Sequence, residues 1–247
     1  MKKPSRGRFV VVDGLDGIGK GVFVNTLRDE AEARGKRVLD VVNFWQQFND
    51  HPSPAEIIGN YDAILTAEPT FVGVGKYIRE ELVSQKGKGY SPQILSEAYA
   101  LDRWILYETL LLPVLNAGID VYQSRTYATG LVYQRQMMLD RGQPFRPADI
   151  LNVPGNAFCH RHPIDFLIIP TLSDPQQLIS RLRNREKDDN CIFENLDFLT
   201  KVRKHYESDE LRDIFEKNGT TVLYMDASVS IGFSQQQMRD FYKQYLE

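Results

Sequence analysis

The sequence predicts a three-layer α/β/α fold on a mainly parallel central sheet, and three observations point to it. Short β-rich runs alternate with stretches of helical periodicity along the whole chain, which is the signature of βαβ units. The first run, Phe9-Val10-Val11-Val12, is apolar throughout, as a strand covered on both faces must be. It breaks at once into a glycine-rich turn that ends in Lys20 and opens a helix-compatible stretch.

The strand Phe9–Val12 leads into a helix expected over Val22–Arg34, and a second strand is expected over Arg37–Val42. Residues 43–63 carry Pro52 and Pro54 between aromatics and read as an insertion or a partly helical excursion. Helical periodicity returns over Gly75–Val83 and Pro92–Asn116, followed by a strand at Ile119–Gln123 and a helix at Gly130–Arg141. Residues 143–162 are rich in proline and turn formers and are expected to cover one edge of the site. A strand at Phe166–Ile169, helices at Asp174–Arg185 and Leu196–Asn218, a strand at Thr221–Met225 and a closing helix at Ser234–Leu246 complete the order. At 247 residues and 42% hydrophobic content, a single domain over residues 1–247 can bury a sizeable core without disulfides or metals.

The chain carries 30 Lys and Arg against 33 Asp and Glu, a net charge of −3. That balance argues against a general nucleic-acid binder and favours small anionic ligands as partners. Cys159 and Cys191 have no CxxC spacing, so the expectation is reduced thiols in a cytoplasmic protein rather than a zinc site or disulfide framework. The basic N-terminus is followed by only a short apolar run, which does not read as a signal peptide, and no apolar stretch approaches the ~18 residues of a membrane span.

Gly14, Gly19 and Lys20 spell GxxxxGK directly between a strand and a helix, the context a phosphate-binding P-loop requires. Glycines at 14, 17 and 19 let successive backbone N–H groups converge on phosphate oxygens, and the following helix adds its positive end. The expected nucleotide-binding set is Gly14, Gly17, Ile18, Gly19, Lys20, Gly21 and Val22. Gly21 stands where a Ser or Thr hydroxyl normally holds Mg²⁺, so the loop is expected to grip phosphate without its usual metal ligand. Tyr99 and Arg103, four residues apart on one helix face, offer a ring and a planar donor fork suited to a pyrimidine; a buried tyrosine with an arginine in a surface salt bridge is the plainer alternative.

The order of motifs resembles the thymidylate kinase family of nucleoside monophosphate kinases. Asp16 matches an acid inside that family's P-loop, Thr66-Ala67-Glu68-Pro69 resembles its TREP turn with Ala67 replacing the arginine, and Tyr99 to Arg103 resembles its substrate helix. Ser124-Arg125-Thr126, continuing to Thr129 and Tyr133-Gln134, resembles its DRY segment with Ser124 in place of the aspartate. Arg181, Arg183 and Arg185 and the acids after them resemble the lid, about residues 181–195, and Asp226-Ala227-Ser228 resembles the adenine-side loop.

The resemblance implies a P-loop NTPase fold with an Arg-rich lid and transfer of the γ-phosphoryl of ATP to a deoxynucleotide, dTMP first. It implies Lys20, Arg125, Arg181 and Arg185 as catalytic residues, and Asp16, Glu68, Tyr99, Arg103, Arg125, Thr129 and Tyr133 as acceptor contacts. It implies Mg²⁺ with unidentified protein ligands; Asp13, Glu68 and Asp102 are the carboxylates at hand. A homodimer through helices is also implied, with Ile105–Val114 as a face that allows pairing or belongs to the core. Two other readings stay open: a weakly active or inactive nucleotide-binding paralogue, because Gly21 and Ser124 remove two metal-organising groups, and a kinase for a modified pyrimidine deoxynucleotide.

Overall fold

In the computed structural model, residues 6–84, 89–174, 176–183 and 196–247 are described, without the side chains of 179, 180, 182 and 183. Six strands, β1 (Phe9–Val12), β2 (Val38–Asp40), β3 (Ala63–Ala67), β4 (Asp120–Ser124), β5 (Phe166–Thr171) and β6 (Thr221–Asp226), form one sheet in the order β2-β3-β4-β1-β5-β6. Every pairing is parallel. The helices are α1 (Lys20–Ala33), α2 (Val41–Phe48), α3 (Pro54–Ile57), α4 (Gly73–Tyr77), α5 (Pro92–Leu106), α6 (Leu112–Asn116), α7 (Tyr127–Asp140), α8 (Pro147–Leu151), α9 (Pro154–His160), α10 (Gln176–Arg183), α11 (Leu196–Tyr206), α12 (Asp209–Glu216) and α13 (Ile231–Tyr245).

The sequence pattern misses one strand. β3, AILTA, follows directly on the proline-containing excursion and has neither aromatics nor an alternating pattern. It nonetheless takes an interior place in the sheet, and its first four residues are buried. β2 is shorter than expected because Asp40 turns the chain: its side chain accepts from Asn43 N at 3.0 Å and caps α2, so Val41 and Val42 become helical. The excursion is therefore partly helical, through α2 and α3. The edge segment 143–162 likewise folds into α8 and α9.

Two long helices depart from a single rod. Between α5 and α6 the chain widens into a π-type stretch over Tyr107–Leu111, just ahead of Pro113, whose missing N–H breaks the ordinary i→i−4 ladder. The expected helix Leu196–Asn218 divides at Ser208, whose hydroxyl accepts from Leu211 N at 3.3 Å and starts α12. The Ile105–Val114 face is mostly core: Leu106, Tyr107, Leu110, Leu111 and Val114 are fully buried.

β1 is the switch point of the sheet: β4 lies on one side of it and β5 on the other. In register, Val12 pairs with Ser124, and Ser124 with Ala67, so the ends of β1, β4 and β3 stand level. Open α/β sheets bind ligands at such a crevice outside the carboxyl ends of the strands. Among the described residues, no helix is long and apolar enough to cross a membrane.

Candidate functional site

After β1 the chain turns through Gly17 (φ 81°) and Gly19 (φ 99°), left-handed conformations that a Cβ would strain, and Gly19 caps the start of α1. Lys20 Nζ folds back over the loop and donates to Gly14 O at 2.9 Å and Leu15 O at 2.8 Å, with Asp16 Oδ1 3.9 Å away. Ile18 is buried, and Val22 N donates to Gly19 O at 2.8 Å, which closes the first turn. Arg181, on α10, donates to Ile18 O at 3.4 Å and to Ala227 O at 2.7 Å, so it bridges the loop and the segment after β6. Arg185 and residues 184–195 of the expected lid lie outside the described residues.

Arg125 follows β4 with φ 73°, a left-handed backbone for a residue with a side chain, of the kind that surrounding structure must hold in place. Its N–H is fixed by Val12 O at 2.9 Å. Its guanidinium reaches Asp16 Oδ1 through Nη2 and Thr129 Oγ1 at 3.3 Å through Nη1. Tyr133 donates its hydroxyl to Asp16 Oδ2 at 3.0 Å and accepts from Asp16 N at 3.1 Å. Burial, and then the Asp16 carboxylate, push the Tyr133 phenol well above its usual range, so it stays a neutral donor.

Asp13 lies beneath this cluster. Fully buried, its carboxylate accepts from Gly14 N (2.7 Å), Thr126 N (2.8 Å), Thr129 N (3.1 Å), Thr129 Oγ1 (2.7 Å) and Tyr206 Oη (2.9 Å). Thr126, the residue before α7, makes no side-chain cap of its own, so Asp13 supplies that cap and meets the positive end of the helix dipole. Tyr206, from α11, is held neutral by burial and by Asp13.

Glu68, at the end of β3, is bound by Arg103 Nε on Oε2 at 2.6 Å and by Gln123 Nε2 on Oε1 at 2.9 Å. Arg103 also donates to Asn156 Oδ1, on α9. Both charged side chains are only 3% exposed, so this is an interior ion pair and not the surface salt bridge of the plainer alternative. Burial pushes Glu68 up to about 7 against the pull of Arg103, while Glu68 draws Arg103 upward. Two donors on the carboxylate select the charged pair. Gln123 Nε2 also donates to Arg125 O at 2.8 Å and so links the Glu68 turn to the Arg125 segment. Tyr99, one turn ahead of Arg103 on α5, is half-buried against the core.

The carboxylates named for Mg²⁺ do not fit a metal held by the protein. Asp13 and Glu68 are saturated as above, and Asp102 accepts from Thr70 N (2.8 Å) and Thr70 Oγ1 (2.7 Å). No group of three or more His, Cys, Asp or Glu among the described residues can hold a metal ion. Gly21 offers no hydroxyl, although an added Cβ there would meet nothing within 4 Å.

Asp16, Lys20, Arg125, Thr129 and Tyr133 thus come together at the ends of β1 and β4, and Glu68 and Arg103 form an adjoining pair at the end of β3. Sequence reasoning misses Tyr206, Asn156 and Gln123. Gln123 alone leaves a local signal, as an amide one residue before the end of a buried strand. Toward the other edge, Thr171, Ser173, Arg203, Tyr224, Asp226 and Ser228 line an open cleft of about 430 Å³ outside β5 and β6.

A family model described as thymidylate kinase matches residues 58–238. A probable thymidylate kinase of Methanosphaera stadtmanae is 23% identical over 240 residues, covering 97% of this chain and 99% of that protein. The thymidylate kinase of Trichodesmium erythraeum is 25% identical over 244 residues, covering 97% and 96%. Among solved structures, the thymidylate kinase of Candida albicans superposes with a TM-score of 0.62 at 16% identity, over 97% of this chain and 92% of that one, a likeness of fold.

Proposed function

Because this chain belongs to the thymidylate kinase family, we propose that it transfers the γ-phosphoryl of ATP to a deoxynucleoside monophosphate, dTMP first. The observation that carries the reading is the convergence of Lys20, Asp16, Arg125 and Tyr133 on the crevice beside β1. In this reading the P-loop amides and Lys20 hold the donor phosphates, and the cleft outside β5 and β6 takes the adenosine side, with Arg181 at its margin.

Arg125 turns from Asp16 to the acceptor phosphate, stabilising charge that develops on the transferred group. Asp16, released from that pairing, accepts from the sugar 3′-hydroxyl. Tyr133 fills the space a ribose 2′-hydroxyl would need, Thr129 orients Arg125, and Tyr99 stacks on the base. Glu68 and Arg103 form the wall beneath, with Arg103 the base-edge donor. Arg185 belongs to the lid, which closes to exclude water. Mg²⁺ accompanies ATP on phosphate oxygens and water, since the described carboxylates are engaged. A cytoplasmic homodimer, single-domain with residues 43–63 as an insertion, completes the proposal.

The absent hydroxyl at Gly21 and the uncharged Ser124 favour a second reading, nucleotide binding without turnover. ADP formation from ATP and Mg²⁺ with dTMP, dUMP, dCMP, CMP, AMP and GMP in parallel, with Lys20→Ala as the blank, separates the two. Turnover with dTMP above the blank supports the kinase. Turnover with none, in protein that binds ATP, supports the second reading.

A further inference from the structure

The excursion before β3 has no part in the chemistry above, yet it packs directly on the turn that carries Glu68. Trp45, in α2, is 1% exposed. Its Nε1 donates to His51 Nδ1 at 3.0 Å, and the two rings meet edge to face at 5.5 Å. On its other side Trp45 stacks against Phe71, with centroids 6.3 Å apart and planes 30° apart. The Arg79 guanidinium lies 3.8 Å from the Phe71 centroid, a cation–π contact, and its Nε donates to Pro69 O (3.0 Å) and Thr70 O (3.1 Å).

The same turn is also gripped from α5. Asp102, on α5, takes both Thr70 N and Thr70 Oγ1, and its neighbour Arg103 takes Glu68. Gly75 lets α4 pass close, since a Cβ there would lie 2.5 Å or less from Thr70 N and O. Residues 68–70 are therefore held both by α5, which carries Tyr99 and Arg103, and by a relay of rings that begins in the excursion. A turn held by two independent elements is what a specificity pocket needs, because small displacements of a wall change which base and sugar fit.

We infer that the excursion is a specificity element for the acceptor nucleotide: Trp45, set by His51, positions the residue 68–70 turn through Phe71 and Arg79. Trp45, His51 and Phe71 are positioning residues, and the inference rests on the acceptor reading given under Proposed function. Its consequence is that loosening the relay weakens acceptor binding and flattens discrimination among pyrimidine monophosphates, while the ATP side, across β1, is untouched.

The test compares wild type with His51→Leu, His51→Gln and Phe71→Leu by calorimetry with dTMP, dUMP, dCMP and ATP, alongside thermal melts. His51→Leu removes the acceptor for Trp45 Nε1, whereas His51→Gln restores an acceptor oxygen. The expected result is a loss of about tenfold in dTMP affinity for His51→Leu and Phe71→Leu, recovery to within about threefold in His51→Gln, and unchanged ATP affinity. Folded variants that keep dTMP affinity and the dTMP to dCMP ratio within about twofold of wild type overturn the inference. Equal losses for ATP and dTMP also overturn it, because they mark general destabilisation. Wild-type protein that binds ATP but none of the monophosphates refutes the acceptor reading itself, a different failure.

Discussion

Arg125 shows how much one residue here depends on others. Its left-handed backbone, held by Val12 O and by the Asp13-capped start of α7, points the guanidinium at Asp16 across the phosphate crevice. Replacing Arg125 or Lys20 with Ala is expected to lower kcat by about 10²–10³ while the fold survives, as stopped-flow turnover and circular dichroism would show together. Asp13→Ala, by contrast, leaves its donors without a partner and should cost about 3 kcal/mol or more in urea unfolding.

His51 gives a prediction in pH. Burial holds its pKa below the ordinary value, with Asp102 and Asp50 as the opposing charges nearby. A lowered histidine pKa contributes stability that is fully present above about pH 6.5 and is lost as pH falls through the folded value. Protonation also ends the Trp45 bond to Nδ1. Wild type should therefore lose more melting temperature than His51→Gln between about pH 7 and 5; His160 and His205, also lowered by burial, contribute equally to both. A parallel decline would show that His51 has no such role. Lys20 has a local signal in the sequence, the glycine spacing after a strand, whereas Asp16 and Arg125 enter through the resemblance of the motif order to a family. Asp13 and Tyr206 stand 193 residues apart, and no local pattern predicts that pairing.

Among the elements, β1 with its loop and α1 is legible because burial and turn chemistry agree along one short stretch. β3 is not, since the five residues AILTA read alike as strand, helix or loop until β2 and β4 flank them. The same holds for the division at Ser208, where a capping hydroxyl outweighs continuing helical periodicity. α5 joins elements through charge, with Arg103 reaching both Glu68 and Asn156. Breaking that interior pair by Arg103→Met should cost about 3–5 kcal/mol, most of it recovered in the double variant with Glu68→Gln. Additive losses in chemical denaturation would mean that the pair is not coupled.

Across the whole molecule, the sheet order places three strand ends side by side, and the site follows from that topology more than from any single motif. The P-loop belongs to β1, the arginine segment to β4 and the clamped turn to β3, so these parts of the site come from the switch-point strand and the two strands on one side of it. In the reading proposed above, this arrangement moves a phosphoryl group from ATP to dTMP despite Gly21 and Ser124. Phosphorus NMR of the protein with ATP, Mg²⁺ and dTMP follows every phosphoryl group at once. dTDP and ADP should appear in equal amounts, and about 10²–10³ more slowly with Lys20→Ala. Folded wild-type protein that leaves ATP and dTMP intact, or releases only inorganic phosphate, would contradict it.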